Sequence, residues 1–309
     1  MKEPQNFLSY VEISTKLASI VPFLVGVGFA LYRFGSIRPW QTFIFFIAMF
    51  LFDMTTTAIN NHVGHRETGR KPHYPSGVSI ALIFSMGTLA AVLGIYLAYM
   101  TDIVVLLAGV FCFAIGIIYS YGPLPISRTP FGELFTTVEA IIIPFIAVQI
   151  SHPLINISFA RYSGEVVAGA NGWDLLAFVI VTAPLACSIA NIMLANNICD
   201  LDEDEQVKRY TLPFFIGAKQ ALHLYALLYI VAFVFIGAGV LLGIMPLFSA
   251  VTAIIAGWVV RKNVVRFFAV QDKGQTFFTS IINFLIICVP HALWFWAGWL
   301  LELYSVHRF

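Results

Sequence analysis

The chain has 309 residues, of which 60% are hydrophobic and 11% are charged, and its mean hydropathy is +0.88. This composition is typical of a polytopic membrane protein that is embedded in a lipid bilayer. A net charge of +1 gives no indication of nucleic-acid binding. The four cysteines form no C-x-x-C pair, so they indicate neither a zinc site nor a disulfide framework.

Nine apolar segments follow one another along the chain, each close to the ~20 residues that a bilayer requires. They occupy residues 15–34, 40–61, 79–100, 103–121, 131–150, 173–197, 220–242, 244–260 and 277–303. No linker divides them. We therefore expect one all-α domain over residues 1–309, with nine transmembrane helices around a central cavity and polar cap loops on the cytoplasmic side.

The distribution of Lys and Arg predicts the orientation of these spans. With the N-terminus in the cytoplasm, four basic residues fall outside, at positions 33, 38, 161 and 308, and thirteen fall inside. The inside set is Lys2, Lys16, Arg66, Arg70, Lys71, Arg128, Lys208, Arg209, Lys219, Arg261, Lys262, Arg266 and Lys273. We expect an integral protein of a bacterial cytoplasmic membrane with a cytoplasmic N-terminus.

The second span carries polar residues at its end. Asn60 and Asn61 close the run TTTAINN, and the polar loop 62–78 follows with Arg66 and Lys71. Because this loop is rich in Gly and Pro, we expect it to be irregular and able to close over a substrate. Asp53 lies inside the span, where an ionised carboxylate costs ~2.5–3.5 kcal/mol, so a partner is expected for it.

The connection between spans 4 and 5 reads YSYGPLPISRTPFGE over residues 119–133. Tyr119 and Tyr121 are either interfacial aromatic residues or part of a binding site. Arg128 has the charge to bind an acidic acceptor or a phospholipid head group.

The most acidic stretch comes directly after span 6 and contains five of the sixteen acidic residues within positions 200–205. Asn196, Asp200 and Asp204 have the spacing i, i+4, i+8, so they share one face of a helix. Two carboxylates about 4 Å apart repel by ~4 kcal/mol at an effective dielectric constant of 20, and a cation relieves that repulsion. Carboxylate and amide oxygens favour Mg²⁺ over zinc. The remaining acidic residues of the stretch, Asp202, Glu203 and Glu205, are expected to be solvated.

Two polar half-sites are therefore expected to meet at the cytoplasmic rim of the bundle. Each begins with an asparagine pair, Asn60-Asn61 or Asn196-Asn197, and each is followed by cations, Arg66 and Lys71 or Lys208 and Arg209. Mg²⁺ beside Lys and Arg is suited to a diphosphate. An apolar interior beneath such a site fits a polyprenyl diphosphate.

The stretch NNICDLDEDEQVKRYTLP, together with YSYGPLPISRTPFGE and the end of span 2, resembles the UbiA superfamily of intramembrane aromatic prenyltransferases, in particular its naphthoate branch. The family's N-x-x-x-D-x-x-x-D motif falls on Asn196, Asp200 and Asp204. In the first copy of this motif, which starts at Asn60, Gly64 and Thr68 stand where the family has aspartates. His62, His65, Glu67 and Asp53 are candidate substitutes for these aspartates.

This resemblance implies Mg²⁺-dependent transfer of a polyprenyl group from its diphosphate to an aromatic acceptor, 1,4-dihydroxy-2-naphthoate in the naphthoate branch, which gives a demethylmenaquinone. It implies metal binding by Asp200, Asp204, Asn196 and Asn60, with Asn61 and Asn197 as further metal or metal-water contacts. The residues expected to contact substrate are Arg66, Lys71, Lys208, Arg209, Tyr119, Tyr121, Arg128 and Asp53.

Three other interpretations of the sequence remain open. One is prenyl transfer to a different aromatic acceptor. A second is a secondary transporter, because repeated half-sites and polar residues inside spans also occur in transporters. A third is a relative that binds prenyl diphosphate without turning it over, because the first motif lacks both carboxylates.

Overall fold

The computed structural model of the chain describes residues 6–68, 73–122, 125–159 and 166–306, and most of these residues are helical. The helices, in chain order, are α1 (Phe7–Tyr10), α2 (Leu17–Phe34), α3 (Pro39–Thr68), α4 (Ser76–Met100), α5 (Ile103–Ser120), α6 (Gly132–Gln149), α7 (Gly172–Cys199), α8 (Leu201–Gln206), α9 (Leu212–Ile216), α10 (Ala218–Leu241), α11 (Phe248–Ala269) and α12 (Phe278–Val306). Short 3-10 turns at Ile13–Lys16 and Ile126–Arg128 precede α2 and α6.

The prediction of nine membrane spans is confirmed for the described part of the chain. Helices α2–α7 and α10–α12 are long and apolar enough to cross a bilayer. The predicted limits of the eighth span, 244–260, are wrong, because α11 runs from Phe248 to Ala269. The apolar run stops at Arg261, which is exposed, but the helix continues to Ala269. Its buried face continues as well, because Phe267, two turns after the buried Val260, is fully buried.

The segment after span 2 also differs from the prediction. The sequence predicted an irregular loop from His62, but α3 continues without a break to Thr68, and α4 begins at Ser76. Residues 62–68 contain one glycine and no proline, so no residue among them ends a helix. The prediction was wrong because hydropathy shows where apolar residues stop, which is not where the helix stops. Residues 69–72, including Lys71, and the side chain of Arg66 lie outside the described residues.

A two-stranded antiparallel hairpin, which the sequence did not predict, connects α6 to α7. Strand β1 (Ile155–Phe159) pairs with β2 (Val166–Ala170), and Ile155 lies opposite Ala170. The buried side chain of Gln149, at the end of α6, donates to the Ile155 carbonyl at 2.7 Å and accepts from the Leu154 N–H at 2.9 Å. The hairpin is thereby attached to the C-terminal end of α6, and Glu133 lies at the other end of that helix.

Helix α6 lies between the main core and a cavity. On one side, α2, α6, α7, α10 and α12 enclose the largest cluster of buried side chains, with Val25, Leu185 and Tyr225 fully buried. On the other side, residues of α2, α3, α4, α5 and α6 line a cavity of about 340 Å³. Ile95 and Val110 line this cavity and are more than half exposed, so it reaches the outer surface between α4 and α5.

Candidate active site

The acidic motif lies where α7 passes into α8. Asp200 alone separates the two helices, and the helical hydrogen bonds continue through it: the Asp200 N–H donates to the Asn196 carbonyl at 3.0 Å, and the Asp204 N–H donates to the Asp200 carbonyl at 2.7 Å. The three residues therefore share one side, as predicted. Asp200 and Asp204 are buried, whereas the remaining acidic residues of the motif are exposed, namely Asp202, Glu203 and Glu205.

The chain turns back at the end of α8. Lys208 has a left-handed conformation with φ of 56°. The N–H groups of Lys208 and Arg209 donate to the carbonyls of Glu205 and Asp204 at 3.2 and 2.8 Å. This pair of bonds is the Schellman ending of a helix. It returns Arg209 to the acidic motif, while the side chain of Lys208 stays exposed.

Arg209 joins three parts of the site. Its guanidinium donates to Asp204 Oδ1 and to Asn197 Oδ1, each at 3.3 Å, and to the Ser127 carbonyl at 2.9 Å. The planar fork of arginine can serve several acceptors at once. The Tyr210 N–H also donates to the Arg128 carbonyl at 3.2 Å, so the turn at 126–128 is held against the motif.

Glu133 belongs to this cluster although the sequence analysis did not select it as a site residue. It lies in the first turn of α6, is buried, and accepts a hydrogen bond from Asn197 Nδ2 at 2.8 Å. The available signal was its position at the end of the stretch 119–133. Tyr119 lies within electrostatic range of Glu133 and Arg209, whereas Tyr121 is 64% exposed. The structure therefore places Tyr119, rather than Tyr121, against the site.

Asp200 is paired with Lys273, from the loop between α11 and α12. From the sequence, Lys273 contributed only to the prediction of orientation, since nothing local relates it to a motif 73 positions away. Its side chain is 55% exposed. A lysine in this position supplies a second cation at the motif without being enclosed by it.

The residues present fit a Mg²⁺ ion that is shared with a substrate. Asp204 Oδ2 and Glu133 Oε2 are buried and have no hydrogen-bond partner among the described residues. Burial raises the pKa of the Asp204 carboxyl, and Arg209 counteracts part of that rise. The described residues contain no group of three or more His, Cys, Asp or Glu side chains placed to hold a metal by themselves. One or two carboxylates completed by phosphate oxygens and water are the usual protein site for Mg²⁺.

No hydrogen bond joins the two asparagine pairs. Asn60 is exposed near the end of α3. Asn61 Nδ2 donates to the Tyr10 carbonyl at 2.8 Å and to Glu12 Oε1 at 3.1 Å, so the N-terminal segment occupies the Asn61 amide. Neither residue shares a hydrogen bond with Asn196 or Asn197, all four being within the described ranges. Metal or diphosphate contacts of Asn60 and Asn61 therefore stay predictions.

The prediction that Asp53 has a partner inside the membrane is confirmed. Lys16 Nζ lies 2.7 Å from Asp53 Oδ1, and the Ser19 hydroxyl donates to Asp53 Oδ2. Asp53 is therefore held by the start of α2 and belongs to the cavity lining rather than to the acidic motif.

The chain matches the UbiA prenyltransferase family over residues 19–285 and belongs to it. It is 30% identical over 155 residues to a Bacillus subtilis (strain 168) protein named 1,4-dihydroxy-2-naphthoate octaprenyltransferase, in a match that spans 50% of this chain and 44% of the relative. This chain therefore matches less than half of that relative's length.

Two solved structures share the fold. One comes from a study of digeranylgeranylglyceryl phosphate synthase in membranes and has a TM-score of 0.68 at 13% identity, covering 94% of this chain and 98% of the other. The other is a UbiA homologue from Archaeoglobus fulgidus bound to DMAPP and Mg²⁺, with a TM-score of 0.61 at 13% identity and the same coverage of both chains. At these identities the likeness establishes the fold alone.

Proposed function

We propose that this protein transfers a polyprenyl group from an allylic polyprenyl diphosphate to an aromatic acceptor with the help of Mg²⁺. The observation that carries the proposal is the pair of buried carboxylates, Asp200 and Asp204, beside Arg209 and Lys273 in a helical bundle that also contains an apolar cavity. The acceptor we propose is 1,4-dihydroxy-2-naphthoate, and the product is a demethylmenaquinone. The name of the Bacillus subtilis relative supports this choice.

The polar residues act on the diphosphate end of the donor. A bound Mg²⁺ would supply positive charge against the diphosphate leaving group. Asp200 and Asp204 would hold this ion, and Asn196 would contribute its side-chain carbonyl oxygen. Arg209, Lys208 and Lys273 bind the remaining phosphate charge, which grows as the allylic C–O bond breaks. The hydrogen bonds from Asn197 to Glu133 and from Arg209 to Asn197 hold Arg209 in place beside the acidic motif.

The apolar cavity protects the allylic cation that is left behind. Three of its wall residues are phenylalanines, Phe45, Phe52 and Phe113. Their faces stabilise a cation electrostatically, and the apolar wall keeps water from capturing it. The opening beside Ile95 and Val110 allows a prenyl tail to extend toward the lipid.

The test is turnover by the purified full chain in detergent, with Mg²⁺, geranylgeranyl diphosphate and 1,4-dihydroxy-2-naphthoate, followed by mass spectrometry. We expect a prenylated naphthoquinol that has lost CO₂, one diphosphate released for each product, and no product with EDTA. Prenyl transfer to a different phenol would show that the acceptor is wrong. Prenyl diphosphate that binds and is never cleaved with any acceptor would contradict the proposed reaction.

The transporter interpretation receives no support from an observation here. The polar cluster at Asp204 lies at a helix end, and the chain belongs to a family named for prenyl transfer. Uptake of a substrate into vesicles without any covalent change would favour a transporter.

A further inference from the structure

The cavity contains polar side chains that the diphosphate site does not use. Four oxygen-bearing residues, Ser19, Asp53, Thr56 and Glu139, line a cavity whose other walls are almost entirely aliphatic and aromatic. At about 340 Å³ the cavity is in the size range of small-molecule sites, in which a few polar groups fix the orientation of a mostly apolar ligand. The positions of these groups therefore indicate what the cavity binds.

Asp53 is held rigidly and its charge is already balanced. Lys16 is 1% exposed, and its ammonium group donates to Asp53 Oδ1 at 2.7 Å, to the Asp53 carbonyl at 3.2 Å and to the Thr57 hydroxyl. All three ammonium hydrogens are thus engaged. The Ser19 hydroxyl donates to Asp53 Oδ2. Lys16 and Ser19 are positioning residues that hold the Asp53 side chain at the cavity wall.

Glu139 has no such support. It projects from α6 into the same cavity and lies within electrostatic range of Asp53, but none of the described residues donates a hydrogen bond to its carboxyl. Its side chain is only partly buried, because it borders the open volume of the cavity. A polar group in an apolar site is costly without a partner, so a ligand that occupies the Glu139 end of the cavity has to supply a hydrogen-bond donor.

The distance to the acidic motif suits a second substrate. Glu139 lies six residues after Glu133 on α6, which corresponds to about 9 Å along the helix axis. Glu133 contacts Asn197 and, through it, Arg209. Tyr119 is within electrostatic range of both glutamates. A ring anchored at Glu139 would therefore lie less than two turns of α6 from the cluster of Glu133, Asn197 and Arg209.

We propose that Glu139 and Asp53 form the acceptor-binding end of the cavity and accept hydrogen bonds from hydroxyl groups on an aromatic ring. This inference rests on the proposed function. It adds that the protein recognises the aromatic acceptor by its ring hydroxyl groups. The ammonium group of Lys16 is already engaged by Asp53 and Thr57, so this end offers no free cation to an acidic substituent, and the acceptor's hydroxyl groups point to it instead. The hydroxyl contacts then determine which ring carbon faces the prenyl group.

The test that does not depend on turnover is binding of two matched probes to the purified full chain. Equilibrium dialysis in detergent compares 1-naphthol with 1-methoxynaphthalene, which has nearly the same shape but no O–H donor. Because an O–H group can donate to the carboxyl oxygens at this end of the cavity and a methyl ether cannot, we expect the wild type to prefer 1-naphthol by about tenfold. Equal binding of the two probes by the wild type would overturn the inference.

Variants then assign the preference to the carboxyl groups. Glu139→Met removes one of the two carboxyl groups that accept the hydrogen bonds and should strongly reduce the preference, while Glu139→Gln keeps a carbonyl oxygen and should retain more of it. The double variant Lys16→Met, Asp53→Asn removes the ion pair without leaving a buried lysine unpaired, and should also weaken the preference. Glu302→Gln, the same type of change at an exposed position near the end of α12, is the control.

Steady-state kinetics separate this inference from the proposed function. In Glu139→Met the KM for 1,4-dihydroxy-2-naphthoate should rise about tenfold, and the KM for prenyl diphosphate should stay within about twofold. If the wild type turns over and Glu139→Met has an unchanged acceptor KM, the inference fails and the proposed function stands. If the wild type never turns over but the probe preference depends on Glu139, the acceptor site stands and the proposed function fails.

Discussion

At the scale of single residues, Asp53 and Asp204, which the sequence placed in different half-sites, differ in how their charge is balanced. Asp53 is paired with Lys16 and lines the cavity, whereas Asp204 shares Arg209 with Asn197 and keeps one buried oxygen without a partner among the described residues. A buried carboxylate oxygen that lacks a donor is a natural ligand for a hard cation. The acidic motif, and not Asp53, therefore has the free capacity to bind a metal.

The first prediction concerns this oxygen. Asp204→Asn should lower kcat by at least about a hundredfold, because it removes a charged metal ligand near the leaving group. Asp202→Asn, which makes the same change two positions away at an exposed residue, should stay within about twofold of wild type. Diphosphate release with the purified proteins measures both rates.

The thermal midpoint of each variant in detergent controls for misfolding. An Asp204→Asn protein that unfolds with the wild-type midpoint and keeps more than about a tenth of the rate would contradict the metal assignment.

The second prediction tests the guanidinium of Arg209. Arg209→Lys keeps the charge but cannot reach Asp204, Asn197 and Ser127 together, because a single ammonium group lacks the fork geometry. We expect the KM for prenyl diphosphate to rise about tenfold, with the acceptor KM within about twofold. Lys219→Arg, a charge-conserving change at the start of α10, is the matched control. Wild-type kinetics in Arg209→Lys would show that charge alone is sufficient.

At the scale of elements, α6 positions both ends of the proposed site, because Glu133 and Glu139 lie on this one helix. Its place depends on close approach to α2. An added Cβ at Gly26 would lie 2.6 Å from Pro144 Cα and 2.9 Å from Ala147 Cβ. Pro144 presents backbone atoms there, which cannot rotate away as a side chain can. The glycine is therefore required by packing.

The third prediction follows from this contact. Gly26→Ala should lower the free energy of unfolding by about 1–3 kcal/mol, since α2 and α6 would have to move apart. Gly237→Ala in α10 is the control, because an added Cβ meets no atom within 4 Å there. Thermal unfolding of both proteins in the same detergent compares them. Equal midpoints for the two variants would mean that α6 is free to adjust.

The elements themselves show where sequence patterns succeed. All nine spans were predicted from windows of apolar residues, because hydropathy depends on local composition. The errors occur where the helix outlasts its apolar pattern, at residues 62–68 of α3 and at 261–269 of α11. A helix ends where its backbone hydrogen bonds end, and polar residues without a proline or a capping signal do not stop it.

At the scale of the whole molecule, the prediction of orientation rests on thirteen Lys and Arg residues inside against four outside. It places the N-terminus and the acidic motif in the cytoplasm and, because nine is an odd number of spans, the end of α12 on the opposite side. The proposed function requires this arrangement of the motif, since prenyl diphosphates would otherwise have to reach it from outside.

The fourth prediction tests this orientation with reporters. Alkaline phosphatase fused after Val306 should be active in a bacterial host, and green fluorescent protein at the same position should be dark, because the end of α12 is expected outside. Fusion after Gln206, at the end of α8, is the internal control and should give the reverse result. Fluorescence at Val306 together with phosphatase activity at Gln206 would invert the topology.

The sequence alone was sufficient for the membrane class, the number of spans and the acidic motif, because each depends on residues that are close together in the chain. The partners of the charged residues came from the tertiary structure. Lys16 meets Asp53 across 37 positions, Asn197 meets Glu133 across 64, Lys273 meets Asp200 across 73, and Arg209 meets Ser127 across 82. These pairs form only after the helices pack, and packing depends on side-chain shape along whole helices, which no local pattern contains.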